Sequence, residues 1–61
     1  MYIDYEKLRN DLIDYFGTAS VYNPVAIIDL TNVENASNSE LERIAIQNGF
    51  NLSDYVNQKS R

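Results

Sequence analysis

The sequence contains no cysteine and no histidine among its 61 residues. Without cysteine, the fold has no disulfide, and the protein has neither a thiol nucleophile nor a thiolate ligand for zinc. Without histidine, it also lacks the commonest general base and metal ligand. Its two glycines, Gly17 and Gly49, do not form a phosphate-binding loop. We therefore expect a protein that is not an enzyme and that has no catalytic residue, cofactor or metal.

Basic residues are few as well. Five lysines and arginines stand against nine acidic residues, which gives a formal net charge of −4. This sign disfavours binding to nucleic-acid phosphates and to anionic membrane surfaces. No apolar run approaches the ~20 residues of a membrane-spanning helix, and the first residues lack the apolar segment of a signal peptide. These absences predict a soluble, cytoplasmic protein that does not bind membranes, and the acidic net charge disfavours nucleic acid as a partner.

The short length predicts one small domain, residues 1–61, with a thin core. A single core of this size rarely leaves more than ~3–5 kcal/mol of net stability. Small domains gain support from disulfides, metals or association, and the first two are missing here. We therefore expect a homodimer or a higher homo-oligomer, with an unknown protein as a further partner.

The first helix has a clear start signal. Asp4 is a good N-cap residue, and Ile3 and Leu8 have the spacing of a hydrophobic staple around it. Gly17 is suited to the position just after a helix end, where a positive φ is common. These signals predict a first helix over residues 4–16.

The middle of the chain is open to two interpretations. Asn23-Pro24 combines an N-cap residue with proline at the first helical position. Together with the helical spacing of the apolar residues, this predicts a second helix over about residues 19–33. The apolar run Val25–Leu30 is so short that it could instead be a buried strand, paired across a dimer axis.

The third helix has signals at both ends. Ser37 and Glu40 have the spacing of a capping box, and Asn48-Gly49 is typical of a helix end. Ser53 then predicts the start of a last short helix. The expected fold is all-α, a small three-helix bundle with a short C-terminal helix or turn. The apolar positions predict a core of Tyr5, Leu8, Leu12, Tyr15, Phe16, Val25, Ile28, Leu30, Val33, Leu41, Ile44, Ala45, Phe50 and Leu52.

Three carboxylates are candidate sites. Asp11 and Asp14 are three residues apart on the first helix and could share a hard cation, although a solvated helix face is the preferred interpretation. Asp29 interrupts the most apolar run of the chain. It either marks the solvent side of the second helix, pairs with Arg9 or Arg43, or is a buried acid of functional interest.

Five tyrosines are many for this length. A tyrosine ring is apolar and its hydroxyl is polar, so tyrosines are common at interfaces and at half-buried positions. The pattern is consistent with an interaction surface and equally with a shallow core.

The segment IAIQNGFNLSDYV (residues 44–56) resembles a helix-turn-helix, because Ala45 and Gly49 have the spacing found in such units. The resemblance implies a recognition helix from Ser53 onward that would present Asn57, Gln58, Lys59 and Arg61 to DNA. The acidic net charge does not provide the expected electrostatic footprint. DNA binding is therefore the alternative to an interaction module.

Four elements form a wider pattern: YFGTA (15–19), DL (29–30), NASNSEL (35–41) and IAIQNGFNLSDY (44–55). In this order they resemble a group of short uncharacterised bacterial proteins, over about two-thirds of the chain. The resemblance implies a small helical protein and brings no known activity. The segment ELERIAIQNGFNLSD is also similar to the helical leader region of certain bacterial peptide precursors. The cleavage-site glycines and cysteine-bearing core of such precursors are absent from the sequence.

Overall fold

The computed structural model describes residues 2–57 and confirms an all-α fold of three helices followed by a short turn. Two very short strands at the ends of this range were not predicted. Ile3 in the first strand lies opposite Val56 in the second, and the pairing is antiparallel. The elements in chain order are β1 (Tyr2–Ile3), α1 (Tyr5–Tyr22), α2 (Ala26–Asn35), α3 (Asn38–Gln47), a 3₁₀ turn (Leu52–Tyr55) and β2 (Val56–Asn57).

Helix α1 begins as predicted but ends later. The Asp4 carboxylate accepts a hydrogen bond from the Lys7 amide at 3.1 Å. The predicted end at Gly17 is wrong, since the helix continues to Tyr22. A glycine inside a helix costs only about 1 kcal/mol, which neighbouring contacts can outweigh. Asn23 ends the helix because the residue before a proline is forced out of helical geometry, and Asn23 is extended, with φ −140° and ψ 99°.

Helix α2 begins at Ala26, so the predicted start near residue 19 is wrong. The preceding residues belong to α1, and only a tight turn separates the two helices. Asn23 shapes that turn: its side-chain oxygen accepts from the Val25 amide at 3.2 Å, and its carbonyl accepts from the Ala26 amide at 2.9 Å. The helical backbone from Ala26 onward overturns the strand interpretation.

Helix α3 has the predicted caps. The Ser37 hydroxyl accepts from the Glu40 amide at 3.3 Å, and Gly49 has a positive φ of 83°. The Gly49 amide donates to the Ile46 carbonyl, and the Phe50 amide donates to the Ala45 carbonyl. This pair of bonds is a Schellman motif, which turns the chain back over the helix it has just left.

The predicted last helix at Ser53 is a single 3₁₀ turn that starts one residue earlier. Its cap is Asn51, whose side-chain oxygen accepts from the Ser53 amide at 3.0 Å. The turn is held to the start of α1 by the Asp4 amide, which donates to the Tyr55 carbonyl at 2.6 Å.

The core lies where the N-terminal part of α1 meets α2, α3 and the 3₁₀ turn. Most predicted members are confirmed, and Tyr5, Leu30, Ile44, Phe50 and Leu52 pack half-buried at its edge. Three predicted members are wrong, because Tyr15 is 45% exposed and Val25 and Ile28 are each 63% exposed. The buried residues are Leu8, Leu12, Phe16, Ala26, Val33, Leu41, Ala45 and Tyr55, of which Ala26 and Tyr55 were not predicted.

Arg9 joins the helices through hydrogen bonds rather than through an ion pair. Its guanidinium donates to the carbonyl oxygens of Val33 at 2.7 Å and Ala36 at 2.9 Å, with a longer bond to that of Glu34 at 3.3 Å. These carbonyls lie at the C-terminal end of α2, where backbone acceptors lack helical partners and a positive charge is favoured. Arg9 therefore fastens α1 to the junction between α2 and α3.

The described part of the molecule is elongated, with principal extents of 44 × 18 × 16 Å. Helices α1 and α2 form an antiparallel hairpin, and α3 packs on the N-terminal part of α1. The closed end of the hairpin is left uncovered. Within residues 2–57, no helix is both long and apolar enough to cross a bilayer.

Candidate interaction surface at the hairpin tip

The closed end of the α1–α2 hairpin is uncharged. Acidic residues flank it at Asp14 and Asp29, but no residue between them is charged. We call residues 15–28 the hairpin tip. The whole net charge of −4 therefore comes from the rest of the chain, and the tip is a neutral surface on an acidic protein.

The tip exposes large apolar side chains. Val21 is 75% exposed and Tyr22 85%, and across the turn Val25, Ile27 and Ile28 are all more than half exposed. Single exposed apolar residues are ordinary on protein surfaces, but adjacent ones form a patch. The largest patch on a typical monomer covers ~300–600 Å² and is often functional. The tip has the character of such a patch.

The surface of α1 within the tip is not flat. Small residues, Gly17 to Ser20, separate the rings of Tyr15 and Tyr22 along the helix. Shallow hollows lie on both sides of this segment. One, of about 560 Å³, is lined partly by Tyr15, Thr18 and Ala19, and the other, of about 420 Å³, partly by Gly17, Val21 and Leu30. A partner side chain could fill either hollow.

Tyr15 is held firmly at the base of the tip. Its ring packs edge-on against Phe16, with centroids 5.0 Å apart, and against Phe50 at 5.5 Å. Phe50 is in place because the Schellman turn at Gly49 folds it back over α3. Aromatic pairs of this geometry are favourable beyond their buried area, so this edge of the tip is preorganised.

The predicted carboxylate sites do not form a metal centre. Asp11 accepts hydrogen bonds from the Tyr55 hydroxyl at 2.6 Å and from the Lys7 ammonium at 3.3 Å, whereas Asp14 is exposed. Within residues 2–57, no three acidic residues converge to hold an ion. Asp29 is exposed, which confirms the solvent-side interpretation. It does not pair with Arg9 or Arg43: the first binds carbonyls and the second binds Glu40.

Two tyrosines form long-range bonds to carboxylates that spacing could not predict. Tyr55 donates to Asp11, and this bond together with burial raises the pKa of Tyr55 to about 12. The same bond lowers the pKa of the Asp11 carboxyl, with help from Lys7 and against the opposing effect of burial. Tyr5 likewise donates to Glu42, which raises the pKa of that tyrosine. These pairs tie the 3₁₀ turn and α3 to α1, so they are structural.

Replacing Tyr55 with phenylalanine is expected to lower the free energy of unfolding by about 1.5 kcal/mol, since a hydrogen bond to a charged acceptor is lost. Tyr22→Phe is the matched control, because its hydroxyl is at the exposed tip, and we expect no change there. Urea denaturation of dilute protein measures both. Equal losses in the two variants would contradict a role for the Asp11 bond.

The difference between the wild type and Tyr55→Phe should also depend on pH. The lowered pKa of Asp11 contributes stability above its unfolded value near 4, and this is lost as pH falls through the folded value. The raised pKa of Tyr55 contributes stability below pH 10 that is lost as pH rises toward 12. We therefore expect a constant difference from about pH 5 to pH 9 that shrinks on both sides.

The structure contains only part of the predicted helix-turn-helix. Ala45 is buried and Gly49 makes the turn, as in such units. A recognition helix should then place its N-terminal residues in the major groove, but the described residues after Gly49 form only a 3₁₀ turn and β2. Of the residues predicted to contact DNA, Asn57 lies in β2 rather than in a helix, and Gln58, Lys59 and Arg61 lie outside the described range.

Comparisons of the chain with protein-family models, with curated proteins and with solved structures found no match. The similarity to short bacterial helical proteins therefore remains a prediction.

Proposed function

We propose that this protein is a non-enzymatic interaction module that associates with a second copy of itself through the hairpin tip. The observation that carries the proposal is the row of exposed apolar side chains around the turn between α1 and α2, of which Val21, Tyr22, Val25 and Ile28 are each more than 60% exposed. Exposed apolar area is costly in water, and burying it stabilises a complex by roughly 25 cal/mol per Å².

Charge favours the tip as the place where two copies meet. Two copies each carry −4, so any contact between their acidic bodies is repulsive. The tip is the neutral end of an elongated molecule, and tip-to-tip contact buries apolar area while the acidic bodies remain apart. A strongly charged partner would gain nothing from an uncharged patch. The thin core of a 61-residue chain adds a reason for association.

The size of the tip indicates a weak dimer. If each copy buries about 500 Å², within the range of large monomer patches, the total is about 1,000 Å², which is the lower limit for specific interfaces. We expect dissociation constants in the micromolar range, or about −8 kcal/mol. Higher salt should strengthen the association, because it screens the repulsion between the acidic bodies.

The chemistry available at the tip supports a non-enzymatic role. Its polar groups are hydroxyls and carboxamides such as Thr18 and Asn23, and the chain has no histidine or cysteine to activate them. DNA binding is not favoured by an uncharged tip or by an acidic body.

The test is sedimentation of the full chain over a concentration series, with Ile28→Glu compared to Ile46→Glu. The two isoleucines are matched, at 63% and 61% exposed, but Ile46 lies on α3 away from the tip. We expect the wild type and Ile46→Glu to dimerise alike, and Ile28→Glu to raise the dissociation constant at least tenfold, the effect of about 1.4 kcal/mol. Far-ultraviolet circular dichroism checks that both variants remain helical.

Two outcomes would overturn the proposal. One is a wild type that stays monomeric at millimolar concentration. The other is an equal effect of both glutamates, which would mean that general charge repulsion, rather than the tip, controls association.

A further inference from the structure

A polar groove of about 420 Å³ lies between α2 and α3. The two helices meet at Ala36-Ser37 and their facing sides form its walls. Helix α2 contributes Asp29, Asn32 and Asn35, which are spaced three residues apart along one row. Helix α3 contributes a second polar row, and the floor is apolar. The α3 row is Glu40, Arg43 and Gln47, and the floor includes Phe16 and Ile44.

Two carboxamides in the groove are held by their own helices. The Asn35 side-chain nitrogen donates to the Thr31 carbonyl at 2.9 Å, and the Asn48 side-chain nitrogen donates to the Ile44 carbonyl at 2.8 Å. A backbone carbonyl only accepts hydrogen bonds, so the side-chain atom that faces it is the amide nitrogen. The other terminal atom of each carboxamide is therefore the oxygen. Neither amide oxygen is used in these bonds. The lining of the groove therefore includes two carboxamides whose oxygens can accept, one on α2 and one at the C-cap of α3.

The charges in the groove add to its acceptor character. Among the described residues, the Asp29 carboxylate has no ion pair, whereas Glu40 and Arg43 pair with each other along α3. The lining therefore has one uncompensated negative charge next to neutral acceptors. A ligand that brings several donors and a positive charge matches this arrangement, and an anion does not.

We propose that this groove binds an arginine side chain carried by a segment of a protein partner. A guanidinium offers five N–H donors in one plane, so it can serve acceptors that lie on different walls, whereas an ammonium acts as a compact point charge. The aliphatic stem of the arginine would lie along the apolar floor at Ile44. This site adjoins the hairpin tip, since Phe16 belongs to both and Asp29 directly follows the tip, but the proposal does not depend on the proposed self-association.

The experiment is a nuclear magnetic resonance titration of the full chain, labelled with ¹⁵N, with the blocked peptide acetyl-Gly-Arg-Gly-amide. We expect the side-chain amide signals of Asn35 and Asn48 to shift, with an affinity in the millimolar range, near −4 kcal/mol. A peptide with citrulline in place of arginine keeps the shape but loses the charge, and should bind at least tenfold more weakly. A lysine peptide should bind with intermediate affinity. Free arginine amide should bind more weakly than the arginine peptide, and equal binding would overturn a protein segment as the source of the arginine.

Asp29→Asn is the variant that tests the groove, and Asp14→Asn is its control. Both carboxylates are exposed and both substitutions remove one negative charge, but Asp14 does not line the groove. We expect Asp29→Asn to weaken binding of the arginine peptide about fivefold or more, and Asp14→Asn to leave it unchanged. Equal weakening in both variants would mean that the peptide follows overall charge. Absence of shifts at Asn35 and Asn48 would also overturn the proposal.

Discussion

Replacing Leu12 with alanine is expected to remove most of the free energy of unfolding at 25 °C, so that a large fraction of the molecules is unfolded. Leu12 is fully buried in the middle of the core, between α1 and the other helices. Substitutions of this kind cost about 2–5 kcal/mol, because they remove transfer free energy and leave a cavity. The free energy of unfolding of a domain of this size is only ~3–5 kcal/mol, so this substitution removes most of it.

Circular dichroism and urea denaturation measure this effect, and Ile28→Ala provides the control. Ile28 is 63% exposed, so removing its side chain should change the free energy of unfolding of the dilute monomer by no more than about 0.5 kcal/mol. If Leu12→Ala still unfolds cooperatively with near wild-type stability, the core described above is not the one that stabilises the protein.

Replacing Arg9 with alanine is expected to cost about 2–3 kcal/mol, the second largest effect. The guanidinium donates to the carbonyl oxygens of Val33 and Ala36 at the end of α2, and the Val33 carbonyl otherwise accepts only a long bond of 3.3 Å from the Ala36 amide. Hydrogen bonds from a charged donor contribute about 1.5–3 kcal/mol. Alanine would also loosen the contact between α1 and the α2–α3 junction, since a single side chain makes all of these bonds.

Arg9→Lys separates charge from geometry. An ammonium retains the favourable charge at the helix end but lacks the planar fork that reaches several carbonyls at once, so we expect it to recover only part of the loss. Arg43→Ala is the control, because its pair with Glu40 is exposed and three residues apart on one helix, and such pairs contribute at most ~0.5 kcal/mol. Full recovery by lysine, or an equal loss at Arg43, would show that the carbonyl bonds contribute little.

Three local signals in the sequence correctly marked the ends of helices, two at starts and one at a C-terminal end. The Asp4 and Ser37 caps and the Gly49 turn are all present, since each involves atoms only a few residues apart. Gly17 predicts a helix end in the same way as Gly49, yet α1 continues through Gly17 to Tyr22. Glycine permits a helix end without requiring one, and the proline after Asn23 is the stronger stop.

The candidate surface could not be predicted for a related reason. Helix α2 carries apolar residues on two neighbouring rows, and the spacing is helical for both. The row with Ala26, Leu30 and Val33 faces α1, whereas Val25 and Ile28 on the other row face solvent. Because the spacing is the same for both rows, the sequence does not show which row is exposed at the tip. The groove between α2 and α3 was missed for the same reason, since its two walls come from separate helices.

The residue pattern alone was sufficient for the fold class and for most of the core, because helix periodicity and capping depend on neighbours within one or two turns. Three features could be found only in the tertiary structure. They are the choice of which row of α2 is buried, the hydrogen bonds of Arg9 to residues at least 24 positions away, and the hydrogen bond between Tyr55 and Asp11, which are 44 positions apart. Each depends on where one helix lies against another. That arrangement follows from the packing of all the elements together and has no signature in any single segment.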